Sequence, residues 1–237
     1  MNLAFLFVLS LIFSSFFICL TSRFCENKPL FSIRSYCFYC NHKLSFFTII
    51  PIFSYIFLKG KCKYCLKGIP KINFLAEIIG AFLLPFSLYA SKIANFSFIF
   101  FSLFLFMLFS LSLVDLKLKA VPNLILWLSF IIAFCVNYDI DFIFNACLCA
   151  GFLFLLKNFI SFLKSIKSKD IQENLGDADI IIMASISGIF GFKFAFWVLF
   201  LACVLALPFF FFVKKIAFLP FISLNLIVYF LFLEIYK

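Results

Sequence analysis

Residues 95–114 read NFSFIFFSLFLFMLFSLSLV, a stretch without a single charge that Asp115 follows directly. A helix needs about 20 consecutive apolar residues to cross the hydrocarbon core of a bilayer, so this stretch predicts a membrane-spanning helix. Comparable apolar runs lie at 3–20, 73–91, 122–138, 141–163, 178–191, 194–213 and 216–236. The sequence therefore predicts an all-α polytopic membrane protein with about eight transmembrane helices.

The composition agrees with this prediction and excludes several other classes. The chain is 66% hydrophobic and 13% charged, whereas soluble domains are about 45–50% apolar and about 25% charged. A soluble domain, a disordered chain, a coiled coil and a secreted disulfide scaffold are therefore all excluded.

The net charge of +10 is interpreted first as a topology signal. Seventeen of the 20 Lys and Arg residues fall in alternate loops of the eight-helix arrangement. Because positive residues mark the cytoplasmic side, both termini are expected outside and the long loop at 21–72 in the cytoplasm. The same charges attract anionic membrane lipid, and no nucleic acid partner is expected.

Three regions follow from this topology. Residues 1–20 form the first transmembrane helix, which we expect to be retained because no basic n-region or small-residue cleavage site accompanies it. Residues 21–72 form the cytoplasmic loop, and residues 73–237 form a seven-helix core. Within the loop, the apolar stretch at 44–58 is interrupted by Pro51 and is too short to cross a bilayer, so it is interpreted as a buried or interfacial segment.

Four of the ten cysteines form two Cys-x-x-Cys pairs in this loop, Cys37 with Cys40 and Cys62 with Cys65. Each two-residue gap lets both thiolates bind one tetrahedral ion, so the two pairs predict a structural zinc or similar metal that staples the loop. Stable disulfides are disfavoured in the cytoplasm. Redox chemistry or coincidence is the alternative interpretation. His42, the single histidine, is expected to be a solvated loop residue, and its isolation argues against a Ser-His-Asp triad.

Three carboxylates lie at the ends of predicted spans. Asp115 closes the third span, and Asp177 and Asp179 open the sixth. Charge at such depth is costly and commonly functional. The alternatives are a surface pair between Asp115 and Lys119 and a helix N-cap at Asp177.

At these residues the chain resembles the type IV prepilin peptidases, which are membrane aspartic proteases with a Gly-x-Gly-Asp signature. Residues 112–123, SLVDLKLKAVPN, are similar to the first aspartate motif of that family, and residues 174–177, NLGD, are similar to the second. The cysteine tetrad resembles the family's cytoplasmic loop, whose two pairs flank a segment like IPIFSY at 50–55. Glu77 follows at the family's usual place after the second pair.

The resemblance implies a function and its residues. Asp115 and Asp177 would be the catalytic pair of an endopeptidase that cleaves the basic leader of type IV prepilin or pseudopilin precursors at the inner membrane of a bacterium. Bifunctional members then methylate the new N-terminus with S-adenosylmethionine, and Glu77 is the candidate for binding that cofactor. The competing hypothesis is a non-enzymatic transporter or assembly scaffold with a structural zinc loop. Transporters typically contain helices broken by Gly or Pro, and the central spans are nearly free of both, which favours an enzyme.

The chain departs from the family pattern at three places. Asn174 replaces the first Gly of the second motif, and Asp179 stands where the family often has Lys. Residues 14–18, SSFFI, replace the Gly-Ser-Phe-Leu-Asn stretch of the bifunctional members, so that Ser14 and Ile18 differ while Arg23 is retained. We still expect methylation to accompany cleavage.

Overall fold

The computed structural model describes residues 2–29, 35–37, 39–45, 48–167, 176–210 and 216–235. In these ranges the regular structure is helical, apart from the isolated β-bridges Tyr36–Lys43 and Lys61–Gly68. The helices are α1 (Leu3–Cys25), α2 (Phe53–Phe57), α3 (Lys71–Ala81), α4 (Leu83–Ala94), α5 (Phe98–Leu118), α6 (Asn123–Asn137), α7 (Ile140–Lys167), α8 (Asp177–Phe190), α9 (Phe192–Phe210) and α10 (Leu219–Ile235). The predicted all-α architecture is confirmed.

Each predicted span coincides with a helical segment, and the run at 73–91 is shared by α3 and α4. Five segments are long and apolar enough to cross a membrane: Leu3–Cys25, Lys71–Ala94, Phe98–Leu118, Ile140–Leu163 and Phe192–Phe209. Helices α6 and α10 are apolar but shorter, and α8 has 14 residues. The number of spans is therefore roughly as predicted.

The chain divides into two compact units, Met1–Ala90 and Ser91–Lys237. In the first unit, α1 packs on α3 through a stripe of small polar side chains. The fully buried Ser10 hydroxyl donates to the Gly80 carbonyl at 2.6 Å and accepts from the Leu84 N–H at 3.2 Å. Small residues let membrane helices approach closely and pair their polar groups. Ser10 thus holds α1 against the break between α3 and α4.

Pro85 accounts for that break. Proline has no N–H to continue the ladder of a preceding helix, but it is tolerated in the first turn of the next one. Pro85 is the third residue of α4. The apolar run continues through the break, which is why the sequence pattern predicts a single span there.

In the second unit, α8 lies at the centre and packs against α6, α7 and α9. Residues 182–189 of this helix are all buried. Ser187 donates to the Asn145 carbonyl of α7 at 3.0 Å, and Asn137 of α6 donates to the Ile189 carbonyl at 3.0 Å. These bonds fix the helix whose first residue is Asp177.

Gly188 lies at a close approach of α8 to α7, because a Cβ at this position would overlap the ring of Phe142. Gly188→Ala is therefore expected to destabilise the second unit by about 1–3 kcal/mol, the usual cost of overpacking. The measurement is the midpoint of thermal unfolding in detergent. Gly151→Ala in α7 is the matched control, since a Cβ there meets nothing within 4 Å. Equal midpoints for the two variants would contradict the close approach.

Candidate active site and metal centre

The cysteine tetrad is assembled by two turns of the same design. The Cys37 N–H donates to the His42 carbonyl at 3.0 Å, and the Cys62 N–H donates to the Lys67 carbonyl at 2.9 Å. Asn41 and Leu66, each four residues after the first cysteine of its pair, take φ values of 52° and 58°. Each turn therefore curls back so that both of its thiols face the same point.

The four sulphur atoms of Cys37, Cys40, Cys62 and Cys65 all lie within 4.8 Å of one another. Zinc–sulphur bonds of about 2.3 Å in a tetrahedron place the sulphurs about 3.8 Å apart. The Cys37 and Cys65 sulphurs are separated by 3.9 Å. The cluster could therefore hold a metal ion of this size.

The thiols of the cluster differ in how readily they ionise. Burial opposes the Cys37 thiolate, but N–H donors of Cys40 and Tyr39 and the neighbouring thiols outweigh it and lower its pKa to about 7. The Lys67 N–H favours the Cys65 thiolate, but desolvation and the other three thiols raise its pKa to about 11. Thiolates are the metal-binding form, so the Cys37 thiol is better prepared to bind a metal than the Cys65 thiol.

His42 lies outside the tetrad, as predicted. Its side chain is exposed and its ring lies 3.6 Å from the ring of Tyr64, centroid to centroid. Among the described residues, the group that could hold a metal consists of the four cysteines.

Glu77 lies in the second turn of α3 and binds the backbone of the loop. One carboxylate oxygen accepts from the Ile52 N–H at 2.7 Å, and the other accepts from the Ser15 hydroxyl of α1 at 3.4 Å. The carboxylate therefore joins α1, α3 and the segment between the two cysteine pairs.

A polar cavity of about 180 Å³ lies beside this carboxylate in the first unit. Arg23, only 6% exposed, lines it from the last turn of α1, with its guanidinium 5.6 Å from the centre of the Tyr36 ring. Tyr55 and Asn73 are among the other polar residues in its wall. The cavity thus offers a cation, an anion and aromatic faces. Sequence reasoning singled out Glu77 and Arg23 and quoted Tyr55 only within the segment at 50–55. It assigned no role to Tyr36 or Asn73, which no sequence motif distinguishes.

Asp115 lies in the last turn of α5 and is buried, with 9% of its surface exposed. Its Oδ2 accepts from the Leu219 N–H, the first of α10, at 3.2 Å. The carboxylate is therefore fixed between two helices.

Asp177 is the first residue of α8, and Gly176 occupies the N-cap position. Its side chain is 80% exposed, and its Oδ1 lies 2.6 Å from the ammonium group of Lys157 on α7. Sequence reasoning did not connect these residues, because the segment between them is long. Asn174, which opens the second aspartate motif, lies outside the described residues.

The side chain of Asp179, on the same helix, has different neighbours from that of Asp177. Its carboxylate interacts electrostatically with Asp115, and its Oδ2 lies 3.2 Å from where a Cβ on Gly176 would stand. The absence of a side chain at Gly176 therefore makes room for Asp179. Asp177 thus has an ionic partner on α7, whereas the charge of Asp179 interacts with that of Asp115.

A larger cavity of about 450 Å³ lies between α6, α7 and α8. Its lining residues include no carboxylate, lysine or histidine. This cavity therefore lacks the ionisable groups that line the cavity beside Glu77.

The chain is similar to proteins of known name. Residues 8–91 match the model of the bacterial peptidase A24 N-terminal domain, a range that contains Glu77 and all four tetrad cysteines. The chain is therefore similar to the prepilin peptidases. It is 28% identical over 187 residues to a prepilin leader peptidase/N-methyltransferase of Vibrio cholerae, covering 77% of this chain and 72% of the relative. It is 29% identical over 197 residues to a protein of the same name from Bacillus subtilis, covering 81% of this chain and 75% of the relative. No solved structure matches.

Proposed function

We propose that this protein is a membrane-embedded aspartic endopeptidase that removes the basic leader of type IV prepilin or pseudopilin precursors. Cleavage would take place at the cytoplasmic face of a bacterial inner membrane. The same protein would then methylate the new N-terminus. The observation that carries the proposal is the similarity to two prepilin leader peptidase/N-methyltransferases over 77% and 81% of the chain. The carboxylates at the ends of α5 and α8 and the polar cavity beside Glu77 supply groups for the two reactions.

Asp115 and Asp177 form the proposed catalytic pair. Peptide hydrolysis without a histidine or a covalent nucleophile needs one carboxylate to activate water and one acid to protonate the leaving amine. A helix C-terminus disfavours negative charge and a helix N-terminus favours it. Asp115 at the end of α5 is therefore the proton-carrying acid, and Asp177 at the start of α8 is the base, with Lys157 stabilising its charge.

The cavity beside Glu77 is the proposed cofactor site for methylation. Its residues fit S-adenosylmethionine, since Arg23 can bind a carboxylate and Glu77 can bind a cationic group. At about 180 Å³ it is smaller than the clefts of about 300–1,000 Å³ that hold whole ligands, so it suits the amino-acid end of the cofactor. The cofactor supplies an electrophilic methyl group. Glu77 would orient the amine of the new N-terminus through its carboxylate.

The tetrad is proposed to hold a structural zinc ion. Zinc sites built from four cysteines are closed to substrate and contribute folding energy. The loop that carries the tetrad also contributes Tyr36 and Tyr55 to the cavity wall. Metal binding would therefore support the methylation site without taking part in either reaction.

Cleavage and methylation can be tested together. The protein is co-expressed with a pilin-like precursor, and the N-terminus of the product is identified by mass spectrometry. We expect a product that lacks its leader and carries one added methyl group. An uncleaved precursor would overturn the peptidase proposal. A cleaved but unmethylated product would mean that the protein is a peptidase without methyltransferase activity.

The proposed topology makes a separate prediction. With positive residues inside, a reporter fused after Lys61 or after Lys167 is expected to report the cytoplasm, and one fused after Tyr138 is expected to report the outside. Paired fusions of alkaline phosphatase and green fluorescent protein measure this, because each is active on only one side. Reversal at any of the three positions would contradict the eight-span arrangement.

A further inference from the structure

The segment between the two cysteine pairs presents an apolar face that the described residues of the chain leave exposed. In α2, Phe57 is 81% exposed, Ile56 59% and Phe53 57%. The opposite side of the same turn, Ser54 and Tyr55, lines the cavity beside Glu77. This segment, residues 49–58, is therefore amphipathic: one face contacts the protein and the other is bare.

Two contacts fix the segment against α3. The Ile52 N–H donates to Glu77 at 2.7 Å, and the ring of Tyr55 stacks on that of Phe74 with centroids 4.4 Å apart. Ile52 has a φ of 62°, a conformation that a β-branched residue rarely adopts. The bond to Glu77 holds this unfavourable turn in place.

These contacts also define the depth of the segment. Helix α3 begins at Lys71 and belongs to a membrane-spanning run. At 1.5 Å per residue, Phe74 lies about 4.5 Å and Glu77 about 9 Å beyond Lys71 along the helix. Ser15, which binds the same carboxylate, lies about 12 Å before Arg23 along α1, another membrane-spanning helix. The segment therefore runs alongside α1 and α3 toward the membrane interior and lies deeper than Arg23 and Lys71, the charged residues at the ends of these helices.

We propose that residues 49–58 form a re-entrant anchor in the lipid interface, with Phe53, Ile56 and Phe57 inserted among the acyl chains near the headgroups. Amphipathic segments in this position bury their apolar face about 5–10 Å into the membrane, which agrees with the depth set by Phe74 and Glu77. Non-helical backbone at membrane depth must have its polar groups paired within the protein. Glu77 provides that pairing for the Ile52 N–H.

Charge complementarity favours a lipid surface over a protein partner. Lys59, Lys61 and Lys63 follow the anchor directly, and all three are exposed. Lysines beside an interfacial segment are attracted to anionic headgroups. The anchor would hold the tetrad loop and the cavity against the membrane, where a membrane-bound chain presents its N-terminus.

Tryptophan fluorescence tests the proposal in the full-length protein. Trp127 and Trp197 are replaced by Phe, and a single tryptophan is introduced as Phe57→Trp or, as the control, Tyr39→Trp in the tetrad loop. Each variant is reconstituted in vesicles of phosphatidylcholine and phosphatidylglycerol whose acyl chains are brominated near either the glycerol end or the methyl end. The Phe57→Trp emission should fall by about half with bromine near the glycerol end and by less with bromine near the methyl end, as expected for insertion to about 5–10 Å. Tyr39→Trp should be quenched by aqueous iodide and not by bromine.

Two results would overturn the anchor. Quenching of Phe57→Trp by iodide alone would place the segment in water, and no quenching by either agent would mean that protein covers it. The role of Glu77 is tested by adding Glu77→Gln or Glu77→Leu. Gln keeps an acceptor for the Ile52 N–H and should preserve bromine quenching, whereas Leu removes the acceptor and should abolish it. Unchanged quenching in the Leu variant would overturn the tethering of the anchor by Glu77.

Discussion

Asp115→Asn and Asp177→Asn are each expected to abolish leader cleavage while the protein remains inserted in the membrane. Asn cannot carry or accept the proton that general acid–base hydrolysis moves, and such catalysis is worth about 10²–10⁴-fold in rate. Asn is also close in size, so the bond from the Leu219 N–H to position 115 can be kept. The measurement is single-turnover cleavage of a pilin-like precursor in detergent or vesicles. Normal cleavage by either variant would contradict the aspartic mechanism.

Asp179→Asn is the internal control for these variants. Position 179 is two residues beyond Asp177, about 200° around the helix, so the two side chains take different directions. In the structure Asp177 pairs with Lys157, and Asp179 interacts with Asp115. Removing the Asp179 charge changes a like-charge interaction but not the proposed proton transfers, so cleavage should weaken by less than about tenfold. Complete loss of cleavage would instead make Asp179 a member of the catalytic pair.

The helices and the tetrad could be predicted from the sequence because both signals are local. An uncharged run as long as residues 95–114 has few alternatives to a membrane helix, and α5 occupies this region. Two Cys-x-x-Cys pairs bring their thiols together wherever the intervening chain permits, and the four sulphurs do converge. In both cases the residues that decide the structure are neighbours in the chain.

The arrangement around the carboxylates could not be predicted because it depends on distant residues. Lys157 pairs with Asp177 only because α7 and α8 pack side by side. Glu77 accepts from Ile52 only because residues 49–58 turn back along α3 with a positive φ that nothing in the side chain of Ile52 favours. Helix α8 is shorter than a typical span, and its burial among α6, α7 and α9 accounts for its stability. These features depend on how distant segments pack together, which the hydropathy of the sequence does not predict.

The second large effect is expected at the tetrad. Cys37→Ser or Cys62→Ser should each remove about one equivalent of bound metal per chain, because the remaining three thiolates no longer complete a tetrahedral structural site. Metal content is measured by mass spectrometry of the purified protein. Cys147→Ser is the matched control, since Cys147 is an exposed thiol on α7 outside the tetrad. Retained metal in both tetrad variants would contradict a four-cysteine site.

Loss of the metal should also loosen the loop. Metal-binding energy at the sulphurs contributes to the folding energy of a small segment such as this one. Limited proteolysis should then cut the tetrad variants within residues 35–67 under conditions that leave the Cys147 variant intact. Leader cleavage should persist in the tetrad variants, since Asp115 and Asp177 lie in the second unit and the tetrad in the first. Methylation should fall, because Tyr36 and Tyr55 of the loop line the cavity beside Glu77. Loss of cleavage and methylation together would instead indicate that the metal-bound loop positions the substrate for both reactions.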